Sequence, residues 1–168
     1  MDNISRESEA DLAAIDAVIT AFFGAFTNRR GPADLGRLRA LTIAQCVIVN
    51  AVTPEIYGLE DFIAPREKML NGGSLAEFEE VETSSSTDVF GNIAQRLSLY
   101  RKSGILSGNR FAATGVNQFL LVRMDASWKI AAVTWDDERE GFTPPERIEN
   151  RGGAYSERDR PPNAANTE

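Results

Sequence analysis

The feature that most constrains this chain is an N-terminal apolar stripe of helical period, followed from residue 46 by strand-like sequence. Large apolar residues recur every three or four positions as Leu12, Ile15, Ile19, Phe22 and Phe26. This spacing predicts an amphipathic helix, and a second, shorter helix is predicted near residues 35–41. Two helices alone cannot bury so many Phe and Leu side chains, so the stripe must face something larger.

The remainder of the folded part is predicted to be mostly strands. Residues 46–52 and 55–57 are expected to form a strand pair, and a helix is expected to begin after Gly58. Further strands are predicted at 77–89, 93–101, 111–124 and 127–136. Short turns join these strands, which predicts an antiparallel meander. The expected fold class is therefore α+β, with helices packed on an antiparallel sheet.

The chain is expected to contain one domain, over residues 8–138. Its 168 residues suit a single domain better than two. Residues 139–168 contain Pro and Gly pairs and almost no large apolar side chains, which predicts a polar C-terminal tail.

Histidine is absent and cysteine occurs once, at position 46. The lack of histidine excludes Ser-His-Asp and Cys-His catalysis and the usual zinc and non-haem iron sites. Acid–base chemistry would have to use Asp, Glu, Tyr, Lys or water. Cys46 begins an apolar run, so we expect it to be a small buried residue rather than a nucleophile. We predict neither a metal ion nor a cofactor.

The formal net charge is -7 and the sequence pI is about 4.8. This acidity argues against binding to nucleic acid or to an anionic membrane, because both require a cationic face. No apolar stretch approaches the roughly 20 residues that a membrane helix needs, and the N-terminus lacks the apolar region of a signal peptide. The expected location is the cytoplasm.

Three local patterns resemble the nuclear transport factor 2-like superfamily, also called SnoaL-like. The first is the long apolar helix that leads into the strand beginning Cys46-Val-Ile-Val-Asn. The second is Ile56-Tyr-Gly-Leu-Glu-Asp-Phe-Ile, a short strand followed by a glycine and an acidic helix start. The third is the ending, Leu121-Val-Arg-Met-Asp-Ala-Ser-Trp-Lys-Ile-Ala-Ala-Val-Thr-Trp. Together the patterns span about residues 10–138.

The resemblance implies a cone-shaped, cystatin-like fold, in which a curved antiparallel sheet wraps around the N-terminal helices and leaves an apolar pocket. Members of the superfamily include ketosteroid isomerases, scytalone-type dehydratases, polyketide cyclases and transport factors, so the fold does not fix a function. Members usually pair through the outer face of the meander. We therefore expect a homodimer, and the apolar central strand supports this expectation.

The isomerase residue pattern fails at all three of its positions when it is transferred to this chain. The position of the base falls on Asn50, which cannot accept a proton at neutral pH. The position of the helix-borne Tyr falls on Phe22 or Phe23, and the protonated Asp falls near residues 118–120, where there is no carboxylate. Steroid isomerisation is expected at background level. The dehydratase and cyclase patterns use His, which this chain lacks.

Polar and aromatic residues near the expected pocket are the candidates for ligand binding. These are Asn50, Tyr57, Tyr100, Asn117, Trp135 and Asp136. Each has a structural alternative: Asn50 suits a turn, Tyr57 an apolar edge, Asn117 a cross-strand partner and Trp135 the core or a dimer surface. A run of acidic residues, Glu77, Glu79, Glu80 and Glu82, is expected to form a solvated strand face.

Three functions remain open. The first is the binding of a small, neutral, mostly apolar molecule in the cone. The second is an isomerase, dehydratase or cyclase-type enzyme with a histidine-free residue set. The third is a structural dimer whose cone is filled by Phe side chains. No Lys or Arg is expected to enter the cone, which disfavours a strongly anionic ligand. An enclosed cavity with a carboxylate inside would favour the enzyme, a cavity without one would favour the binder, and the absence of a cavity would favour the structural dimer.

Overall fold

The computed structural model describes residues 2–148, with side chains from residue 9 onward. The greater part of the predicted tail, residues 149–168, lies outside the described residues. The described residues contain three helices: α1 is Asp2–Gly24, α2 is Leu38–Leu41 after a turn of 3-10 helix, and α3 is Leu59–Asn71. No helix among the described residues is long and apolar enough to cross a membrane.

In the part of the chain that the structure describes, six strands form one sheet. They are β1 (Thr42–Asn50), β2 (Glu55–Tyr57), β3 (Leu75–Phe90), β4 (Ile93–Leu106), β5 (Asn109–Met124) and β6 (Ser127–Asp137). The order across the sheet is β2-β1-β6-β5-β4-β3. The predicted meander β3 to β6 is antiparallel, and β1 joins it by pairing parallel with β6. The α+β fold class is confirmed.

The helical stripe packs on one face of this sheet. Ile15, Ile19 and Phe22 of α1 are buried, and Phe119 of β5 meets the ring of Phe22 edge-on at 5.1 Å between centroids. Irregularities in pairing occur in β1, in β3 and between Leu120 and Leu121. Such bulges bend and twist strands, which allows the sheet to curve around the helices.

Strand β4 extends five residues beyond the predicted end at residue 101 and finishes at Leu106. This extension matters because strand side chains alternate between the two faces of a sheet. Arg96, Ser98 and Tyr100 all face inward and are buried. The same alternation brings Lys102 to the inner face.

Candidate functional site

A cavity of about 620 Å³ lies between the inner face of the sheet and helices α1 and α3. Its wall is mostly apolar, with Phe22 and Phe26 from α1, Phe62 from α3 and Val133 from β6. Typical pockets for small molecules have volumes of about 300 to 1,000 Å³ and similar apolar walls. The cavity is therefore large enough for one small molecule.

Charged side chains also line this cavity. They are Glu55, Arg66, Glu80, Lys102 and Asp137. The prediction that no Lys or Arg enters the cone is wrong: Arg66 lies one helical turn after Phe62 in α3, and Lys102 lies on the extension of β4. The available sequence signal was the spacing of Lys102 from Tyr100, which places both residues on one face of a strand long enough to include them.

Tyr100, Asp137 and Lys102 form a hydrogen-bonded cluster at one side of the cavity. The Tyr100 hydroxyl donates to Oδ1 of Asp137, and Lys102 Nζ lies 2.7 and 2.8 Å from the two Asp137 carboxylate oxygens. Burial, together with the Asp137 carboxylate, raises the pKa of the Tyr100 hydroxyl. The Tyr100 hydroxyl is therefore held in its neutral form, as a hydrogen-bond donor.

Gly115 creates the space that this cluster needs. It pairs with Tyr100 on one side and Asp137 on the other. A Cβ atom at position 115 would overlap the Tyr100 hydroxyl group and crowd the Asp136 carbonyl oxygen. The absence of a side chain thus lets the Tyr100 ring cross β5 and reach β6.

Glu80 is a cavity residue and not part of a solvated strand face, so the prediction for this residue is wrong. Its side chain lines the cavity, and burial raises the pKa of its carboxyl group to about 7. Lys102 and the Asn117 amide act in the opposite direction, and Asp137 raises the pKa further. Glu80 therefore exchanges its proton near neutral pH. Side chains alternate along β3, so Glu80 and Glu82 both face inward. The acidic composition of the run did not indicate this.

Asn117 is 3% exposed and lines the cavity from β5. Its Nδ2 atom has no hydrogen-bond acceptor among the described residues. The amide interacts with the Glu80 carboxyl group and lowers its pKa, but the two groups do not reach the geometry of a regular hydrogen bond. A buried donor without an acceptor is uncommon in native proteins and calls for an explanation.

Arg66 is held at the cavity by aromatic rings. Its guanidinium carbon lies 3.8 Å from the ring centroid of Phe62, 5.0 Å from that of Tyr57 and 5.6 Å from that of Trp135. These distances fall within the range of cation–π contacts. We refer to Tyr57, Phe62 and Trp135 as the aromatic box.

Five of the six residues proposed from sequence line the cavity: Asn50, Tyr57, Tyr100, Asn117 and Trp135. Asn50 also has the turn role that was its alternative, because it donates from Nδ2 to Thr53 at 2.8 Å and accepts from the Val52 amide at 3.1 Å. The Tyr57 hydroxyl donates to Glu55 at 2.6 Å, and this bond lowers the pKa of Glu55. Ligand binding by these residues stays a prediction.

The sixth candidate, Asp136, does not line the cavity, and Asp137 takes that place. Trp135 and Asp137 share one face of β6, so the intervening Asp136 side chain points the other way and pairs with Arg139. The sequence left the inward-facing parity of the strand open. Cys46 is buried as predicted, and burial raises the pKa of its thiol to about 11.

The cavity offers hydrogen-bond donors, one group that titrates near neutral pH and a large apolar surface. Among the residues that the structure describes, no cluster of three or more Cys, Asp or Glu side chains is positioned to hold a metal ion. A carboxyl group whose pKa lies near 7 has the pKa that suits a general acid or base at neutral pH.

Comparison with solved structures identifies the fold. A hexachlorocyclohexane dehydrochlorinase (LinA) Type2 superposes with a TM-score of 0.67 at 18% identity, covering 84% of this chain and 99% of the other. A nuclear transport factor 2-like superfamily protein from Salmonella enterica serovar Typhimurium gives 0.64 at 12% identity, covering 76% and 91%. A protein of unknown function from Mycobacterium tuberculosis gives 0.62 at 16% identity, covering 80% and 76%.

No protein-family model matches the sequence, and no curated protein matches it. The structural likenesses establish that this chain has the nuclear transport factor 2-like fold, as its sequence patterns predicted. At these identities they establish the fold alone. Proteins with this fold include an enzyme and proteins of unknown function, so the function must be argued from the cavity.

Proposed function

We propose that the cavity binds one small, mostly apolar molecule, oriented by a few hydrogen bonds from its wall. The observation that carries this proposal is the buried Nδ2 atom of Asn117, which lines the cavity without an acceptor in the described part of the chain. An unsatisfied buried donor costs about 1 to 3 kcal/mol. An acceptor atom on a bound molecule would remove that cost, while the apolar wall would bury the rest of the ligand.

The size of the cavity favours this proposal over a cone that is filled by its own side chains. Phe26 packs edge to face with both Phe22 and Phe62, yet about 620 Å³ remains beside them. An apolar ligand in that space would gain contacts that the empty cavity lacks.

The test is a thermal-shift screen of lipophilic small molecules. A ligand that binds only the native state raises the melting temperature according to its concentration and affinity. We expect hits with the wild type, and smaller shifts from the same hits in Asn117→Leu and Trp135→Ala. Phe90→Ala removes an exposed aromatic ring outside the cavity and is the matched control. Hits confined to phosphates or nucleotides would contradict the proposal, and equal shifts in every variant would place the ligand elsewhere.

Glu80 supports a second candidate, a histidine-free enzyme of the isomerase, dehydratase or cyclase type. A general base works best when its pKa is close to the operating pH, and burial raises the pKa of Glu80 to about 7. The Glu80 carboxylate would remove a proton from carbon beside a carbonyl group of a small apolar substrate, and the protonated carboxyl would return it. Asn117 Nδ2 is a donor available to the carbonyl oxygen.

This candidate is tested by solvent exchange. Apolar ketones and esters are incubated in deuterated water with wild type or Glu80→Gln, and deuterium uptake is followed by mass spectrometry. We expect uptake above the buffer rate with the wild type only. Uptake at the buffer rate across the series would favour the non-catalytic binder, and equal uptake by both proteins would exclude Glu80 as the base.

We also propose that a second copy of the chain covers the outer face of the sheet. Val47, Ala132 and Leu120 pair in one row across β1, β6 and β5 on that face. Val47 and Leu120 are exposed, as is Ile93 of β4. Light scattering at micromolar concentration should give a dimer mass for the wild type and a lower mass for Leu120→Lys. A wild-type monomer would contradict the dimer.

A further inference from the structure

The guanidinium group of Arg66 makes few polar contacts for a half-buried charge. Its only hydrogen bond within the described chain runs from Nη1 to the Phe62 carbonyl, one helical turn earlier, at 3.2 Å. It forms no ion pair with any described residue, whereas Arg96, the buried arginine of β4, pairs with both Asp16 and Glu82. An arginine side chain carries five N–H donors, so most of those on Arg66 are unused.

The surroundings of Arg66 are unfavourable for a charge without a partner. Burial is the largest influence on the pKa of Arg66 and lowers it, while the Tyr57 hydroxyl and the Glu55 and Glu80 carboxyl groups act in the opposite direction. The aromatic box offers ring faces to the cation but no anionic oxygen. Buried charges in proteins are normally paired, so this geometry leaves a position for an anion from outside the chain.

The acidic residues of the cavity do not fill this position. Glu55 accepts hydrogen bonds from Tyr57 and Thr53, at 2.6 and 2.7 Å, which hold it on the rim. Asp137 is neutralised by Lys102. Glu80 titrates near pH 7 and is therefore partly neutral under ordinary conditions. Glu55 and Glu80 act on Arg66 only from a distance, and none of the three carboxylates forms an ion pair with it among the described residues.

We propose that the ligand of this cavity is a small apolar monocarboxylate, whose carboxylate pairs with Arg66 at the aromatic box and whose apolar body lies along Phe22 and Phe26. The inference rests on the proposed binding function and replaces the sequence-based expectation of a neutral ligand. Arginine suits this role because its planar fork binds both oxygens of a carboxylate. Asn117 remains available for a second acceptor on the ligand.

Compounds that share one apolar body and differ in the polar end group test the inference. Cinnamate, cinnamamide and cinnamylamine form one set, and decanoate, decanamide and decylamine form a second. Affinities are measured by titration calorimetry near pH 6.5 at low ionic strength. We expect each acid to bind about tenfold more tightly than its amide, and each amine to bind most weakly, because a charge-assisted pair is roughly twice as strong as a neutral hydrogen bond.

Three variants assign this preference to Arg66. Arg66→Gln should lower the affinity for the acids about tenfold and leave the amides unchanged, because it removes the charge-assisted pair. Arg66→Lys should keep part of the preference, because it retains the charge and loses the fork. Arg101→Gln removes an exposed cation that does not line the cavity, and should behave as wild type. Melting temperatures of the free variants, within a few degrees of wild type, verify that each one folds.

Equal affinity for acid and amide, or an acid preference that survives in Arg66→Gln, would overturn this inference and leave the cavity as a binding site for neutral molecules. An absence of heat and of thermal shift with both complete sets would overturn the inference and the proposed binding function together.

Discussion

Two polar clusters lie on the inner face of the same sheet, and they differ in how completely their hydrogen bonds are satisfied. The Arg96 cluster consists of Arg96 with Asp16, Glu82, Thr87 and Ser98. The guanidinium makes two bonds to Glu82, at 2.9 and 2.6 Å, one to Asp16 at 2.6 Å and one to Thr87 at 2.9 Å. Each of the three guanidinium nitrogens of Arg96 therefore donates at least one hydrogen bond.

The cavity wall has the opposite character. Asn117 Nδ2 has no acceptor in the described chain, Arg66 has one hydrogen bond and no ion pair there, and burial raises the pKa of Glu80. Both clusters use the same kinds of residue on neighbouring strands. The Arg96 cluster has its hydrogen bonds satisfied and fastens α1 to the sheet. Buried polar groups without partners lower the stability of the fold, so stability alone does not explain why the cavity wall contains them. Completeness of hydrogen bonding thus separates a structural cluster from a candidate site.

The largest expected effect is in the Arg96 cluster. Arg96→Met leaves the Glu82 carboxylate without its buried cationic partner, and should lower the free energy of unfolding by about 3 to 5 kcal/mol. Urea denaturation measures this loss. Arg110→Met is the matched control, because Arg110 pairs with Glu77 on the surface at 3.2 Å. It should cost less than about 1 kcal/mol. Similar losses of unfolding free energy in the two variants would contradict the structural role assigned to Arg96.

Gly115→Ala should give the next largest effect. The new Cβ overlaps the Tyr100 hydroxyl, so Tyr100 must move away from Asp137, at a cost of about 1 to 3 kcal/mol. Gly24→Ala places a methyl group where no atom lies within 4 Å and is the control. It should be neutral or slightly stabilising, because alanine favours a helix. A Gly115→Ala protein as stable as the control would mean that Tyr100 does not require this space.

The sequence sufficed for the parts of the molecule that follow from periodicity. The stripe faces the core from Ile15 to Phe26, although Leu12 at its start is exposed. The turn at Asp125 and Ala126 joins β5 and β6 as expected. Periodicity did not determine where each strand ends or which of its alternate side chains face inward. Because β4 was predicted to end at residue 101, Lys102 was not considered as a cavity residue. Because the inward-facing parity of β6 was unknown, Asp136 was chosen as a candidate and Asp137 was not.

The remaining features of the site depend on contacts between distant segments. Arg66 comes near Trp135 only after α3 packs across the sheet. The raised pKa of Glu80 arises from burial by neighbouring elements, which no local pattern contains. The need for a glycine at position 115 follows from the strand register, which places Tyr100 on one side of it and Asp137 on the other. Local sequence therefore predicted the fold and most of the polar candidate residues, but not the charged residues that line the cavity with them.

The pH dependence of stability distinguishes Glu80 from a surface carboxylate. Its pKa is about 7 in the folded protein against 4.5 ordinarily, so the folded state binds more protons than the unfolded state between these values. Stability contributed by this group is present below about pH 4.5 and is lost as the pH rises through 7. Glu80→Gln should therefore exceed wild type by about 1 to 3 kcal/mol at pH 8, and by much less at pH 5.

Urea denaturation at the two pH values measures this difference. Glu140→Gln, which removes an exposed carboxylate outside the cavity, should show no such change between pH 5 and pH 8. A wild-type advantage over Glu80→Gln that grows with pH would show that Glu80 is stabilised as a carboxylate in the free protein.

The smallest expected change in stability is also the most direct test of the central claim, that the cavity wall is left unsatisfied for a ligand. It is the free energy of unfolding of Asn117→Leu in the absence of any added compound, compared with Asn28→Leu. The Asn28 amide donates to Leu70 and Leu75 at 2.8 and 2.7 Å and accepts from Phe78, so its loss should cost about 2 to 4 kcal/mol. Asn117→Leu should equal wild type or exceed it by up to about 1 kcal/mol, because it removes a buried donor that has no partner in the described chain. A loss comparable to that of Asn28→Leu would show that the Asn117 amide already holds the free protein together, and would contradict the account.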